Sequence, residues 1–305
     1  MNPDGMLLVC RTCREPAGSV TDRFCEECGT ELVAPHDPLT DRVEIDLGTL
    51  AGVSDRGHHH ARNEDAMTLG RRPANGSAGQ VAAVVCDGVS TVRRPELASG
   101  TATAVALDIL LDGAGAARDR MVAAVAAAAT AVTALAPRSP DAPSCTLVAA
   151  TVADPDGAAP AVTVGWVGDS RAYWLDAAGG SALLTTDHSW AQDMVTAGVV
   201  DAATALRDPR AHAITRWLGP DCDAEPGVVT LEPAGPGVLL LCSDGLWNYA
   251  PAAAELAAVA LPALARGGPQ AAAAALTTFA LDAGGRDNVT VVCIPVHTTL
   301  DGSDP

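Results

Sequence analysis

Acidic residues recur at one kind of position in this 305-residue chain, the point where an apolar run meets a loop. Asp87 directly follows the run Val81–Cys86, and Asp244 follows Val238–Cys242 after one serine. A carboxylate at the rim of an apolar core is costly unless it is paired or bound to a metal. The same placement holds for Asp169 after Ala161–Val167, for Asp287 before Val289–Val296, and for Glu64 and Asp65 before another strand-like run.

Carboxylates that meet at strand ends, with glycines beside them to allow close backbone approach, form a site suited to hard divalent cations. Gly88 and Gly245 directly follow two of the aspartates. The alternative is that each Asp-Gly pair is only a turn. A turn would be a sufficient explanation for one such pair, but it is a poor explanation for the whole set of acids. We therefore expect a divalent metal site.

The elements that must position these acids form an alternating series. Short β-branched apolar runs predict strands, and stretches with helical periodicity predict helices. The turn at Asp154–Gly157 indicates antiparallel pairing of the strands around it, although periodicity leaves open whether there is one sheet or two. Strands are predicted at Val81–Cys86, Cys145–Val152, Ala161–Val167, Val238–Cys242 and Val289–Val296, and helices at Glu96–Leu111, Asp119–Ala136, Ser189–Ala197, Ala252–Ala260 and Gln270–Asp282.

Composition and charge exclude several classes of protein. Hydrophobic residues make up 48% of the chain, which is ample for a buried core. The net charge of -18 repels nucleic acid and anionic lipid, so we expect neither as a partner. No apolar run approaches the length of a membrane-spanning helix, and the N-terminus lacks the apolar segment of a signal peptide. We therefore expect a cytoplasmic protein.

The nine cysteines fall into two groups. The five after residue 80 are scattered, which is typical of small buried hydrophobes in a reducing compartment. None of the five has an arginine six residues later, so the sequence lacks the loop of a cysteine-based phosphatase. The other four form two Cys-x2-Cys pairs that would bind one structural Zn²⁺ ion in a tetrahedral site: Cys10, Cys13, Cys25 and Cys28.

These features predict four segments. Residues 1–33 form a zinc ribbon, 34–42 a linker, 43–297 the main domain and 298–305 a frayed tail. A redox pair is the alternative for the cysteines, and nucleic-acid binding is an alternative role for the ribbon. Acidic residues and sparse aromatics in this segment disfavour nucleic acid. Contact with a protein partner, or docking on the main domain, fits the ribbon better.

Seven motifs in order carry a family resemblance over about residues 43–296. They resemble the motif series of the metal-dependent (type 2C, or PPM) serine/threonine phosphatases. The resemblance implies an α+β fold, a four-layer α-β-β-α sandwich of two antiparallel sheets flanked by helices. The motifs are Arg62-Asn63-Glu64-Asp65, Cys86-Asp87-Gly88, Trp166-Val167-Gly168-Asp169-Ser170-Arg171-Ala172-Tyr173, Thr186-Asp187-His188-Ser189, Ala213-Ile214-Thr215-Arg216-Trp217-Leu218-Gly219, Cys242-Ser243-Asp244-Gly245-Leu246-Trp247 and Arg286-Asp287-Asn288-Val289-Thr290.

The resemblance also implies a role for each acid. Asp87 would bridge two Mn²⁺ or Mg²⁺ ions, and Asp244 and Asp287 would complete the shell of the first. The Gly88 carbonyl and either Glu64 or Asp65 would serve the second ion, and Asp169 would hold a third. The expected reaction is hydrolysis of phosphoserine or phosphothreonine in proteins modified by a serine/threonine kinase, by attack of a metal-bridging hydroxide. Residues 190–212 fall where the family has a mobile flap.

The chain departs from the family at two places. His60 stands where relatives have the arginine that grips the substrate phosphate, and Val89 stands where some have a histidine that donates a proton. Arg62 or His60 could replace the arginine, and we favour Arg62 because it lies closest in sequence to Glu64 and Asp65. The general acid has no candidate. The alternative function is that of a catalytically inactive regulator that binds phosphoproteins, which retention of the metal-matching acids argues against.

Overall fold

The computed structural model describes residues 36–37, 41–72, 79–136, 141–156, 160–205, 207–222 and 225–297. Within these residues two antiparallel sheets pack face to face, and helices cover the outer face of each. The predicted four-layer sandwich is therefore confirmed for this part of the chain. The ribbon predicted at residues 1–33 and the tail at 298–305 lie outside the described residues.

The larger sheet has seven strands in the order β1-β2-β3-β12-β11-β8-β9. Its central strands β11 and β12 are the two predicted from the apolar runs before Asp244 and after Asp287. The strands of this sheet are β1 (His36–Asp37), β2 (Arg42–Asp46), β3 (Ala51–Asp55), β8 (Arg171–Leu175), β9 (Ala182–Leu183), β11 (Gly237–Cys242) and β12 (Val289–Val296).

The smaller sheet has five strands in the order β10-β7-β6-β5-β4. The antiparallel pairing predicted from the turn at residues 154–157 is confirmed, since Ala153 pairs with Ala161. The strand predicted to begin at Cys145 begins at Leu147, because Cys145 makes isolated bridges to Gly88 and Leu218 instead. The strands are β4 (Ala66–Arg72), β5 (Gln80–Cys86), β6 (Leu147–Ala153), β7 (Ala161–Val167) and β10 (Gly227–Leu231).

Alternation along each strand divides the core into three layers. In β5, Val81, Ala83 and Val85 face the other sheet, whereas the residues between them face the helices. In β11, Leu239 and Leu241 likewise point between the sheets. Side chains that alternate across a strand let one strand serve two apolar layers. This is why these runs are continuously apolar rather than half polar.

Helices lie on both outer faces. The two predicted after β5 are α1 (Pro95–Asp112) and α2 (Ala117–Leu135). The two predicted before the last strand form one element, α6 (Ala253–Asp282), with a kink at Gly267 and Gly268, where the backbone leaves helical geometry. Helix α3 (Trp190–Thr196) is confirmed close to its predicted bounds, and the short helices are α4 (Ala202–Ala205) and α5 (Asp244–Trp247).

Two further expectations concern the predicted linker and the relation of the chain to membranes. The segment predicted as a linker contributes a short strand, because His36 and Asp37 pair with the beginning of β2. None of the described helices combines the length and apolar character needed to cross a bilayer. The cytoplasmic location stays a prediction.

Candidate metal centre and active site

The register of the smaller sheet brings two of the predicted acids together. Ala66 in β4 pairs with Cys86 in β5. The next residue outward on each strand is an aspartate, so Asp65 and Asp87 stand opposite each other at the end of the sheet. Asp65 is buried, whereas the Asp87 side chain is partly exposed.

The larger sheet delivers the other acids to the same end. Cys242, the last residue of β11, pairs with Val291 of β12 and with Arg171 of β8. The loops at this end of these strands therefore lie side by side. They carry Asp244, Asp287 and Asp169.

Asp65 is held on one side only. Its Oδ2 accepts hydrogen bonds from Ser243 Oγ at 2.8 Å and Thr290 Oγ1 at 2.7 Å, both across the gap between the sheets. Its Oδ1 is buried and has no hydrogen-bond partner among the described residues. Burial raises the pKa of the Asp65 carboxyl to about 7, although the two hydrogen bonds lower it. The charges of Asp287 and Asp244 add to the rise. A buried oxygen left without a proton donor is costly unless a cation is its partner.

The neighbouring carboxyls likewise have raised pKa values. Burial, with repulsion from the charge of Asp244, raises the pKa of Asp169 to about 8. Burial, with repulsion from the charge of Asp287, raises the pKa of Asp244 to about 6. The pKa of Asp87 is raised well above its ordinary value by burial and then by the surrounding aspartates. Asn248 Nδ2 donates to Asp244 Oδ2 at 3.1 Å. Asp244 Oδ1 is buried and has no hydrogen-bond partner in the part of the chain that the structure describes.

Divalent cations fit this set of donors. Carboxylate and carbonyl oxygens are the ligands that Mg²⁺ and Mn²⁺ prefer. Two buried aspartate oxygens here have no hydrogen-bond partner within the described ranges. Among the described residues, no three His, Cys, Asp or Glu side chains already stand in a ligating arrangement. Repulsion between neighbouring carboxylates opposes the convergence of their oxygens on one point. The set is therefore a suitable group of ligands whose final geometry depends on the cation.

Gly88 and Glu64 lie against each other at the rim. A Cβ added to Gly88 would stand 2.6 Å from the Glu64 carbonyl oxygen and 2.8 Å from Pro95 Cβ. Only glycine allows this approach, which brings the Glu64 backbone beside the Asp87-Gly88 turn. The Glu64 carboxylate accepts a hydrogen bond from Ser90 Oγ at 2.6 Å, and its backbone N–H donates to Asn288 Oδ1 at 2.8 Å.

The two candidates for phosphate binding have different surroundings. His60 Nε2 lies 3.1 Å from Asp287 Oδ1, so its ring is in contact with the aspartate cluster. Arg62 instead donates through Nη1 to Glu96 Oε1 of α1 at 3.1 Å, and its side chain is 59% exposed. Nearness in sequence to Glu64 had favoured Arg62 as the phosphate-binding residue. In the structure, the Arg62 side chain instead points toward α1, where it contacts Glu96.

Several supporting residues stood in the motifs without a role assigned from sequence. They are Ser243 and Thr290, the hydroxyl donors to Asp65. Asn248, the amide donor to Asp244, directly follows one of the motifs and was likewise given no role. Position in the motif was the available signal, but a Ser or Thr has many possible partners and only the packed sheets select one.

A buried stack fixes the Asp169 backbone. Arg171 makes a paired contact with Asp187 at 2.9 and 2.7 Å, and its guanidinium lies 3.6 Å from the centre of the Trp247 ring. Trp247 Nε1 in turn donates to the Asp169 carbonyl oxygen at 2.9 Å. The ion pair, the ring and the backbone of the proposed ligand thus form one connected unit.

The segment predicted as a flap lies beside this unit. Ala191, Ala205 and Ala211 form a small apolar cluster of its own. A cavity of about 380 Å³ separates the segment from α5, and Arg171, His212 and Asn248 are among its lining residues. Because Asn248 also contacts Asp244, the cavity opens next to the aspartate cluster.

Comparisons with known proteins point to one family, although no protein-family model matches the chain. The PPM Ser-Thr phosphatase MsPP of Mycobacterium smegmatis is 32% identical, with a TM-score of 0.63 over 81% of this chain and 97% of that one. The catalytic domain of the serine threonine protein phosphatase PstP, solved in complex with 2 manganese ions, is 28% identical over 81% and 97%, with a TM-score of 0.61.

The serine/threonine phosphatase stp of Listeria monocytogenes is 32% identical over 161 residues. That alignment covers 52% of this chain and 59% of the Listeria protein, so the chain spans less than two thirds of this curated relative. The two solved structures, by contrast, are each matched over 97% of their length. The chain therefore belongs to the family of PPM Ser-Thr phosphatases.

Proposed function

We propose that this protein is a metal-dependent phosphatase that hydrolyses phosphoserine and phosphothreonine in proteins modified by a serine/threonine kinase. The observation that carries the proposal is the aspartate cluster at one end of the sandwich, where buried oxygens of Asp65 and Asp244 have no hydrogen-bond partner among the residues that the structure describes. The named activities of MsPP, PstP and the Listeria protein support it. No observation favours an inactive regulator.

We propose Mn²⁺ or Mg²⁺ as the cofactor, as in the manganese-bound PstP domain. Asp87, Asp244 and Asp287 would hold the first ion, Asp87 with Gly88 and Glu64 or Asp65 the second, and Asp169 a third. Bound divalent ions would activate a water molecule and neutralise charge on the phosphoryl oxygens.

The chain's own residues would keep these ligands in place. Ser243 and Thr290 orient Asp65 by donating to the same oxygen, and Asn248 restrains Asp244. Hydrogen bonds of this kind fix the ligand rotamers before an ion binds, and removing such partners typically weakens metal affinity.

For phosphate recognition we propose His60 rather than Arg62, which reverses the preference drawn from sequence. The contact between His60 and Asp287 supports this, since a phosphoryl group held by the cluster would lie within reach of the ring. We expect His60→Ala to raise KM for p-nitrophenyl phosphate several-fold and Arg62→Ala to change it little. The opposite ranking would return the role to Arg62.

Asp244→Asn tests the proposed activity. Loss of one ligand charge should abolish turnover of p-nitrophenyl phosphate and of a phosphothreonine peptide in millimolar Mn²⁺. Asp119→Asn, an exposed position on α2, is the matched control and should stay active. Full activity of Asp244→Asn would refute the assignment, and an inactive wild type that still binds the peptide would favour the regulator.

We also propose that residues 1–33 bind one structural Zn²⁺ through Cys10, Cys13, Cys25 and Cys28. Four thiolates satisfy a tetrahedral ion and leave no open position for chemistry. Metal analysis should find about one zinc per chain after dialysis that removes Mn²⁺. A variant lacking residues 1–33 should still hydrolyse p-nitrophenyl phosphate. Loss of that reaction in a folded truncation would make the ribbon part of the active site.

A further inference from the structure

Three exposed arginines stand together at the rim of the aspartate cluster. Arg62 and Arg94 lie against one acid, Glu96, at the beginning of α1, and Arg93 directly precedes Arg94 in the chain. Together these four side chains carry a formal charge of +2, in a protein whose net charge is -18. We propose that this group, the arginine rim, binds an acidic side chain of the substrate next to the phosphorylated residue. The proposal rests on the phosphatase function proposed above.

The contacts within the arginine rim leave donors free for a ligand. Glu96 Oε1 lies 3.1 Å from Arg62 Nη1 and 3.6 Å from Arg94 Nε, so one carboxylate oxygen orients both groups. A guanidinium has five N–H donors, and contacts with the described residues use only a few of those of Arg62 and Arg94. Among the described residues, Arg93 makes no side-chain hydrogen bond or ion pair, although its backbone N–H donates to the Asp141 carbonyl.

The backbone supports a role beyond charge balance. Arg94 has φ 56° and ψ 51°, a left-handed conformation that is unfavourable for a residue other than glycine. One arginine would have been enough to neutralise Glu96. The chain instead places two consecutive arginines here, one of them in this strained conformation, and both face solvent.

Position relates the rim to the chemistry. Pro95, the residue after Arg94, packs directly on Gly88, which follows Asp87. Ser90, between these two points, donates to Glu64. An extended peptide advances about 3.3 Å per residue, so a side chain one to three residues from the phosphorylated one would fall at the rim. Guanidinium groups bind carboxylates through charge-assisted hydrogen bonds, which gives the acidic preference.

The experiment compares phosphothreonine peptides with glutamate, alanine or lysine at the flanking positions. Exposed ion pairs are individually weak, so we expect kcat/KM for the glutamate peptide to exceed that for the alanine peptide by about threefold to tenfold. The ratio should fall toward one at high salt, because the rim is exposed. The ratio is measured within each protein, so a partly folded variant does not distort it.

The test variant is Arg93→Gln/Arg94→Asn, since asparagine tolerates the left-handed backbone. Its glutamate-to-alanine ratio should drop to about one, and Arg93→Glu/Arg94→Glu should favour the lysine peptide. The control Arg71→Gln/Arg266→Gln removes the same charge. Arg71 lies at the far end of β4, about 20 Å from Asp65, and Arg266 lies before the kink of α6, about 24 Å from the end of that helix near His58.

An unchanged ratio in Arg93→Gln/Arg94→Asn, or an equal drop in the control, would overturn the inference. A wild type that hydrolyses p-nitrophenyl phosphate yet shows no preference for the glutamate peptide would also overturn it while leaving the phosphatase function intact. A wild type that hydrolyses neither substrate would instead refute the proposed function itself.

Discussion

Thr290→Val tests whether the buried hydroxyls position Asp65. Thr290 is fully buried in β12. Its hydroxyl donates to Asp65 Oδ2 at 2.7 Å and lies 2.7 Å from Ser54 Oγ. Valine has nearly the same shape, so the substitution removes hydrogen bonds without opening a cavity. Ser243 remains as the second donor to Asp65.

The size of the effect depends on the charge of Asp65. A hydrogen bond to an ionised group contributes about 1.5–3 kcal/mol, and one between neutral groups about 0.5–1.5 kcal/mol. Losing the bond to ionised Asp65 and the contact with Ser54 should cost about 2–4.5 kcal/mol. The pKa of Asp65 is raised to about 7, so the carboxyl is protonated at pH 5 and ionised at pH 9. The loss should therefore shrink to about 1–3 kcal/mol at pH 5.

The assay is urea unfolding in EDTA at pH 5 and pH 9. Thr277→Val is the control, because Thr277 is equally buried but its hydroxyl donates within α6 to the Ala273 carbonyl. It should cost little at either pH. The Thr290 variant should also bind Mn²⁺ less tightly at neutral pH. A loss no larger than that of Thr277→Val, or one independent of pH, would refute the role given to this hydroxyl.

The metal-free protein should lose stability as pH rises from about 5 to 8. The folded state raises the pKa of Asp244, Asp65 and Asp169 to about 6, 7 and 8, so it binds more protons than the unfolded state over this range and is disfavoured as pH rises. Melting temperatures in EDTA would show this, and a rise over that range would contradict it. Arg171→Ala should destabilise by about 3–5 kcal/mol, since it leaves Asp187 charged and mostly buried. Arg210→Ala, which removes an exposed pair of the same geometry stacked on Trp190, should change the melting temperature little, and equal losses would argue against burial as the cause. Gly245→Ala should destabilise the fold and weaken Mn²⁺ binding in calorimetry, because the added Cβ would overlap the Asn288 carbonyl oxygen, whereas Gly235→Ala meets nothing within 4 Å and serves as the control.

Much of the fold was predictable from local pattern. The central strands β5, β6, β7, β11 and β12 were found because strands buried on both faces are continuous apolar runs. Strand β3 (Ala51–Asp55) was missed, since its Ala-Gly-Val-Ser-Asp sequence has no such run and owes its pairing to β2 and β12. The break in α6 was expected, but the helix before it continues past Pro262 to the two glycines.

The sequence by itself determined which acids could form the site, because a carboxylate at the end of an apolar strand needs a partner wherever that strand goes. It also determined the family, through the order of the motifs. Only the tertiary structure decided which side chains meet. Ser243 and Thr290 reach Asp65 from 178 and 225 residues away, through the packing of one sheet on the other. His60 rather than Arg62 contacts the cluster. The direction of a side chain depends on the backbone path and on distant partners such as Glu96, and neither can be read from nearness in sequence.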